Sequence, residues 1–412
     1  MLTALAESAP KSFRRGTHRL VAPAETVARA RRFMPVMGIT RIANVTGLDS
    51  IGIPVVVVCR PNARSLSVAQ GKGMDMAAAQ ASGLMESIES YHAERITLPL
   101  KLASHEELRY THRLVDVAQL PRITRSRFQP HHQILWIEGY DLIERELVWL
   151  PYETVHVNYT VTVQSYAAGF LASSSGLASG NHILEAISHA LCEVVERDAT
   201  TLWHLQDETA RTQTRIDLAT VVDADCRAVL EQYARAGIAV GVWEITSDVG
   251  IPAFICSIVD QAEHPLRPLY AATGAGCHPA RPIALLRALV EAAQSRLAMI
   301  AGTRDDWFRE DYERLSSPDI LQLNRARVAA QAQARSFADG PSWESDTFGE
   351  DVAWELERLR AAGLQRAVVV DLTRPEFHLP VVKLVVPGLE PLSTAEGHIA
   401  GARALALLRR RA

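Results

Sequence analysis

The sequence predicts an α+β protein in which antiparallel or mixed sheets are flanked by long helices. Three observations predict it. Short runs dense in Val and Ile recur between turn residues, as in ITRIANVTGL, IGIPVVVVCRP and IPAFICSIVD. Three long stretches, beginning near Met74, Asn181 and Pro282, carry apolar residues at helical spacing. The strands and helices lack the regular βαβ alternation of a doubly wound sheet. With 412 residues, 48% hydrophobic and 22% charged, the chain can bury a large core and has the balance of a globular protein.

In chain order, residues 1 to 35 form a basic, helix-prone N-terminal segment with Pro23 near a helix start, and 36–412 form the main domain. Two strand-like runs follow, then a short strand over Ser65–Gly71 and a helix over Met74–Arg95. LWIEGYDLIERELVWLPYETVHVNY alternates apolar and polar residues around turns, which predicts an antiparallel hairpin. A helix opens near Asn181. GIAVGVWEIT and IPAFICSIVD read as strands before the helix over Pro282–Ile300. The segment 303–351 is polar, with Trp307, Trp343 and Phe348 isolated in it, and reads as a surface helix plus a mobile loop, a candidate lid. Strands return at RAVVVDLT and PVVKLVVPG.

A formal net charge of −4 gives no global basic field, so neither nucleic acid nor an anionic membrane is an expected partner. The terminal Arg409-Arg410-Arg411 reads as a frayed helix end. Cys59, Cys192, Cys226, Cys256 and Cys277 show no CxxC or Cys/His spacing, which fits free thiols and excludes a structural zinc. No secretory h-region and no run of about 18 apolar residues is present, so a cytoplasmic protein is expected.

The candidate site lies on the helices. In SSSGLASGNHILEAISHALCEVVER, a Gly- and Ser-rich loop opens a helix whose Asn181, Glu185, His189, Glu193 and Glu196 share about one third of the circumference. Solvated helix faces usually mix acids with Lys or Arg. This stripe has three carboxylates and one Arg, with no Lys. Ser82, Glu86 and Glu89 share one face of the helix after Gly71-Lys72-Gly73, and Arg287, Glu291 and Gln294 share one face of the third helix. The GKG triplet lacks the flanking residues of a P-loop. Converging carboxylates repel one another without bound cations. Magnesium takes carboxylate and phosphate oxygens, and Arg197 and Arg287 suit phosphate. The residues therefore point to a Mg-nucleotide site built from helices.

These three stretches resemble the YcaO superfamily, proteins with their own non-P-loop ATP-binding fold that activate backbone amides of peptides. The resemblance runs from about residue 15 to 395. It implies ATP and Mg2+ as cofactors and places the family's nucleotide- and metal-binding positions on Glu86, Glu89, Asn181, Glu185, Glu193, Glu196, Arg197, Arg287 and Glu291. Of these, Glu86, Glu89, Glu193 and Glu196 are the expected metal ligands, and Glu193, Glu196 and Arg197 the expected catalytic set. Arg19 and Thr26 stand where the family offers a Lys and a Ser that touch the nucleotide, both departures in residue type.

Family members transfer a phosphoryl group to the amide oxygen. Sulfide as nucleophile then gives a thioamide, and a Cys, Ser or Thr side chain gives an azoline. The chain ends LALLRRRA without the Pro-rich tail common in azoline-forming members. It looks more like members paired with a TfuA-type partner, so thioamide formation is favoured over azoline cyclodehydration. A non-catalytic ATP-binding scaffold is the reading from another class. A peptide or protein substrate, a TfuA-like partner and a homodimer are the interactions considered. Cys59, Cys192 and Cys277 are candidate sulfur relays, Cys192 lying on the acidic stripe, each set against a plain semi-buried thiol.

Overall fold

One order of elements occurs twice along the chain, three antiparallel strands followed by a long helix. The computed structural model describes residues 8–124, 126, 128–160, 169–262, 271–330, 334–391 and 398–409. Helix α1 (Pro23–Arg31) precedes β1 (Arg41–Asn44), β2 (Val55–Cys59), β3 (Val68–Lys72) and α2 (Met76–Glu94). Next come β4 (Leu100–Ser104), β5 (Gln133–Asp141), β6 (Glu146–Pro151), β7 (Leu177–Ser179) and α3 (Ile183–His204). Helix α4 (Ala224–Arg235) leads to β8 (Ile238–Glu244), β9 (Ala253–Asp260), β10 (Ala272–Cys277) and α5 (Arg281–Ala301). The chain continues through α6 (Arg309–Leu315), α7 (Pro318–Ala329) and α8 (Phe348–Ala361) to β11 (Val368–Asp371), β12 (Val381–Val385) and α9 (Ala402–Arg409).

The first sheet has the order β1-β2-β3 and the third β8-β9-β10, both antiparallel, with Val57 opposite Gln70 and Ile255 opposite Ala275. Between them stands a six-stranded antiparallel sheet in the order β4-β5-β11-β12-β7, with β6 paired to β5. Its centre is dry: Trp136, Ile137, Leu150, Val368 and Val381 are fully buried. The sheets are antiparallel where the sequence left mixed pairing open. Among the described residues parallel pairing joins Arg335–Ser336 to Ile216–Asp217, with a single bridge from Leu114 to Trp149.

Each long helix lies on its own sheet and reaches the next. Helix α2 packs on β3 and touches β7, α3 packs on β12 and β7 and touches β10, and α5 packs on β10 and touches β3. The three helices thus close a ring. Glycines allow two of these contacts. A Cβ on Gly71 would stand 2.0 Å from the Ala79 carbonyl oxygen, and one on Gly276 2.2 Å from that of Ala284. The GKG glycine therefore brings a helix down onto a strand.

The same requirement explains a strand the sequence did not signal. The residues of β10, Ala-Thr-Gly-Ala-Gly-Cys, are mostly small, with Thr273 the one branched residue, because α5 lies directly on them. The hairpin and the three long helices stand where the sequence put them, with α3 beginning at Ile183 after the His182 cap.

Residues 8–35 are woven into the rest. Phe348 N–H donates to the Ala9 carbonyl at 2.8 Å, and Lys11 pairs with Asp351 at 2.5 Å, both side chains fully buried. In the polar segment 303–351, α7 packs on β8 and β9, with Leu321, Val328 and Phe337 buried. Helix α9 ends at Arg409, and Arg410 and Arg411 lie outside the described residues. Among the described residues, no helix is long and apolar enough to cross a membrane.

Candidate functional site

The polar stripe of α3 is not a solvated face. Asn181 is 7% exposed, Glu185 3% and Glu196 5%. Burying carboxylates this far is costly unless partners or cations compensate them. At the start of α3 the partners are visible. Glu185 accepts from Arg19 Nη1 at 3.3 Å, from Leu20 N–H at 3.2 Å and from Asn181 N–H at 3.2 Å. Asn181 Nδ2 donates to Thr26 Oγ at 3.1 Å, and Arg29 Nη1 donates to Asn181 Oδ1 at 3.2 Å. Arg19, Thr26, Asn181 and Glu185 therefore form one network, which ties α1 to the mouth of α3.

A turn or two further along, the carboxylates of three helices converge. Burial pushes the Glu89 carboxyl up to about 8, with Glu86 and Glu193 adding repulsion, while Ser179 Oγ donates to it at 2.6 Å. Glu196 is pushed up to about 7 by burial and by the neighbouring Glu291. Glu86 lies at the open side of this cluster, exposed to water, and accepts from the Gln70 N–H at 3.4 Å. Glu193 accepts from Gly176 N–H at 3.3 Å and from Arg197 at 3.5 Å.

Glu291 goes the other way. Against the cost of burial, Lys72 and Arg197 hold it below the usual carboxylate range, helped by the Ala275 N–H at 3.3 Å. Of Glu291 and its neighbour Glu196, the negative charge is favoured on Glu291. Arg197 is held firmly protonated by Glu193, Glu196 and Glu291, despite burial.

A cleft of about 1080 Å3, open solvent included, adjoins this cluster and is lined by Arg19, Lys72, Ser82, Glu185, His189 and Arg287. On α2, α3 and α5 alike, the cleft-lining residues come first and the carboxylates follow about a turn later. The N-terminal ends of all three helices therefore lie on the cleft side. Burial holds His189 neutral, well below its ordinary pKa, and its Nε2 must then accept from Arg287 Nη2 at 2.7 Å, since a guanidinium only donates.

Three residues escaped the sequence reading. Lys72 was seen only within a failed P-loop, yet its Nζ donates to Glu291 at 2.8 Å. Lys383 is buried beneath the Ser-rich loop, donating to the carbonyls of Ser173 and Ser175. Burial brings it down to about 8, with Glu193 opposing the fall. A lone Lys within PVVKLVVPG was the signal that could have found it. Arg304, at the start of the polar segment, faces Glu86.

Cys192 Sγ donates to Glu355 at 3.3 Å in a fully buried setting. Its neighbour Cys277 and burial keep the thiol well above its ordinary pKa, which disfavours the nucleophilic thiolate.

The donor set fits a hard dication. It offers carboxylate oxygens alone, crowded enough to retain protons when no cation is near. Among the described residues no three His, Cys, Asp or Glu side chains make a ready ion cage. Magnesium does not need one, since it keeps waters and is shared with substrate phosphates.

Residues 70–390 match the family described as YcaO cyclodehydratase, ATP- and Mg2+-binding. A Rhizobium leguminosarum bv. trifolii protein, described as an uncharacterized protein in the tfuA 3′ region, is 36% identical over 378 residues, covering 90% of this chain and 88% of that one. A solved heterocyclase in complex with substrate and cofactor aligns with a TM-score of 0.80 at 24% identity over 98% of this chain, which spans 57% of that protein's length. The structure of YcaO from Methanopyrus kandleri bound with AMPPCP and Mg2+ aligns with a TM-score of 0.72 at 23% identity, over 93% of this chain and 95% of that one. At these identities the two structures attest the fold alone.

Proposed function

The chain belongs to the YcaO family of ATP- and Mg2+-binding proteins, and we propose that it is an ATP-dependent enzyme that O-phosphorylates a backbone amide of a peptide or protein, forming thioamides with a TfuA-like partner. In that chemistry sulfide adds to the amide carbon, and the oxyanion so formed accepts the γ-phosphoryl group as ADP departs. The C–O bond then breaks with loss of phosphate, leaving C=S. ATP supplies the phosphoryl group, and Mg2+ neutralises phosphate charge.

In this reading the protein's part is placement and charge stabilisation. Glu86, Glu89, Glu193 and Glu196 hold the metal. Asn181, Glu185, Arg197, Arg287 and Glu291 hold the nucleotide and its phosphates, with Arg19 and Thr26 steadying the cleft edge through Glu185 and Asn181. Arg197, kept cationic by three carboxylates, faces the charge that develops during transfer. A cytoplasmic setting would supply both ATP and reduced sulfur.

The observation that carries the nucleotide site is the mutually repelling carboxylate set that α2, α3 and α5 bring together, with Glu196 buried among them. The choice of thioamide rests on the relative from the tfuA 3′ region. The second reading is azoline cyclodehydration, favoured by the family's description. Intact-mass analysis decides between them, with the chain, a TfuA-like protein, Mg-ATP, sulfide and a candidate substrate combined. Exchange of one oxygen for sulfur supports the proposal. Loss of one water supports the azoline reading, and ATP binding without phosphate release supports a scaffold.

A further inference from the structure

We infer that an apolar pocket beyond the carboxylates receives an apolar side chain of the peptide whose amide is activated. This inference rests on the Mg-nucleotide reading of the cleft. The pocket is a partly open depression of about 540 Å3, open solvent included, and its apolar wall includes Pro121, Leu171, Val194, Val386 and Leu389. Arg197, Lys383 and Glu390 also line it.

The argument is the order of groups along α3. Glu185 and His189 line the nucleotide cleft, Glu193 and Glu196 follow, and Val194 and Arg197 line the pocket. At 1.5 Å per residue, Glu185 to Glu193 spans about 12 Å and Arg197 lies about 6 Å further. That order places a nucleotide base and ribose at one end and its terminal phosphate among the carboxylates. In-line transfer puts the acceptor oxygen beyond the γ-phosphorus, opposite the leaving group. The acceptor amide then sits at the Arg197 end, and a flanking side chain meets the apolar wall.

Arg197 is continuous with both regions, pairing with Glu193 at 3.5 Å while lining the pocket. Lys383 fixes the loop at Ser173 and Ser175, which also line the pocket, through two carbonyls. Arg197 is already paired with Glu193, Lys383 with the Ser173 and Ser175 carbonyls, and Glu390 with the Gly401 and Ala404 N–H groups. Burying a further charge against the apolar wall is therefore costly, and Asp, Lys and Arg are all disfavoured.

The test uses the full chain with Mg2+ and AMPPCP, and blocked peptides acetyl-Gly-Xaa-Gly-amide with Xaa Leu, Asp or Lys. Binding is read by saturation-transfer NMR and AMPPCP affinity by calorimetry. The expected result is a Leu peptide bound about tenfold tighter than the Asp and Lys peptides, the difference one buried leucine makes. Leu171, half-buried at the rim, permits a filling variant. Leu171→Trp should abolish Leu-peptide binding with AMPPCP affinity undiminished, and Leu171→Ala should shift preference to a cyclohexylalanine peptide. Equal binding of the three peptides, binding of none, or binding indifferent to both Leu171 variants would overturn the inference. Failure of AMPPCP to bind the wild-type chain would instead overturn the nucleotide reading.

Discussion

Lys72, the last residue of β3, donates to the Glu291 carboxylate of α5 at 2.8 Å and joins the two strand–helix units beside the acidic cluster. The pair has an electrostatic consequence. Lys72 favours the ionised form of Glu291, whose charge in turn helps to push the neighbouring Glu196 up. Lys72 also lines the cleft, where its charge faces any bound phosphate.

Lys72→Met should therefore separate stability from binding. Both side chains of the pair are about a quarter exposed, so losing the bridge should cost about 0–1 kcal/mol of stability and barely move Tm. Mg-ATP affinity should fall about tenfold, or 1.4 kcal/mol, as titration calorimetry would register.

Stability without metal should fall with pH. Glu89 and Glu196 have pKa values raised to about 8 and about 7. A carboxyl raised by folding contributes stability at low pH that is lost as pH climbs through its folded value. Tm of the metal-free protein should decline from about pH 4.5, the ordinary glutamate value, to about pH 8, the folded value of Glu89. The Glu89→Gln/Glu196→Gln double variant should decline less, and added Mg2+ should flatten the wild-type profile. Parallel wild-type and variant profiles would contradict the assignment.

Gly71→Ala should be strongly destabilising, because the added methyl would stand 2.0 Å from the Ala79 carbonyl and 2.3 Å from Gly83 N. Backbone cannot yield as a flexible side chain does, and a loss of about 3 kcal/mol or more is expected. Gly47→Ala is the control, since a Cβ there meets nothing within 4 Å. Thermal melts of the two variants would check the contrast.

Thr26→Val should weaken both fold and nucleotide binding. It removes the hydroxyl that accepts from Asn181 Nδ2 at 3.1 Å and leaves a buried amide short of a partner. The expected cost is about 1–3 kcal/mol of stability, with a raised KM for ATP. Thr26→Ser should restore both.

The α3 stripe and its two companion helices were readable because helical spacing maps directly onto faces, and because Lys is missing from a face that solvent would have filled with it. The antiparallel hairpin was readable from alternation. What stayed hidden depends on packing across long sequence separations. Strand β10 carries glycines and alanines because α5 rests on it, so strand propensity gave no signal. Lys72 and Glu291 are distant in sequence and meet only because α5 touches β3. Lys383 reaches the Ser173–Ser175 loop through the pairing of β12 with β7. The burial of Glu185 and Glu196, which distinguishes a site from a surface face, is a property of the closed ring of helices.

The most direct test is titration calorimetry of ATP with and without Mg2+, in buffers of different ionisation enthalpy, on the wild-type chain and on Glu196→Gln. Binding to the wild type should require Mg2+ and release protons at neutral pH, because Glu89 and Glu196 must ionise to take the metal. Glu196→Gln should keep its fold, lose about a hundredfold in affinity, equivalent to about 2.7 kcal/mol, and release fewer protons. Mg2+-independent ATP binding, or a Glu196→Gln protein that binds Mg-ATP as the wild type does, would contradict the claim that these carboxylates form a Mg-nucleotide site.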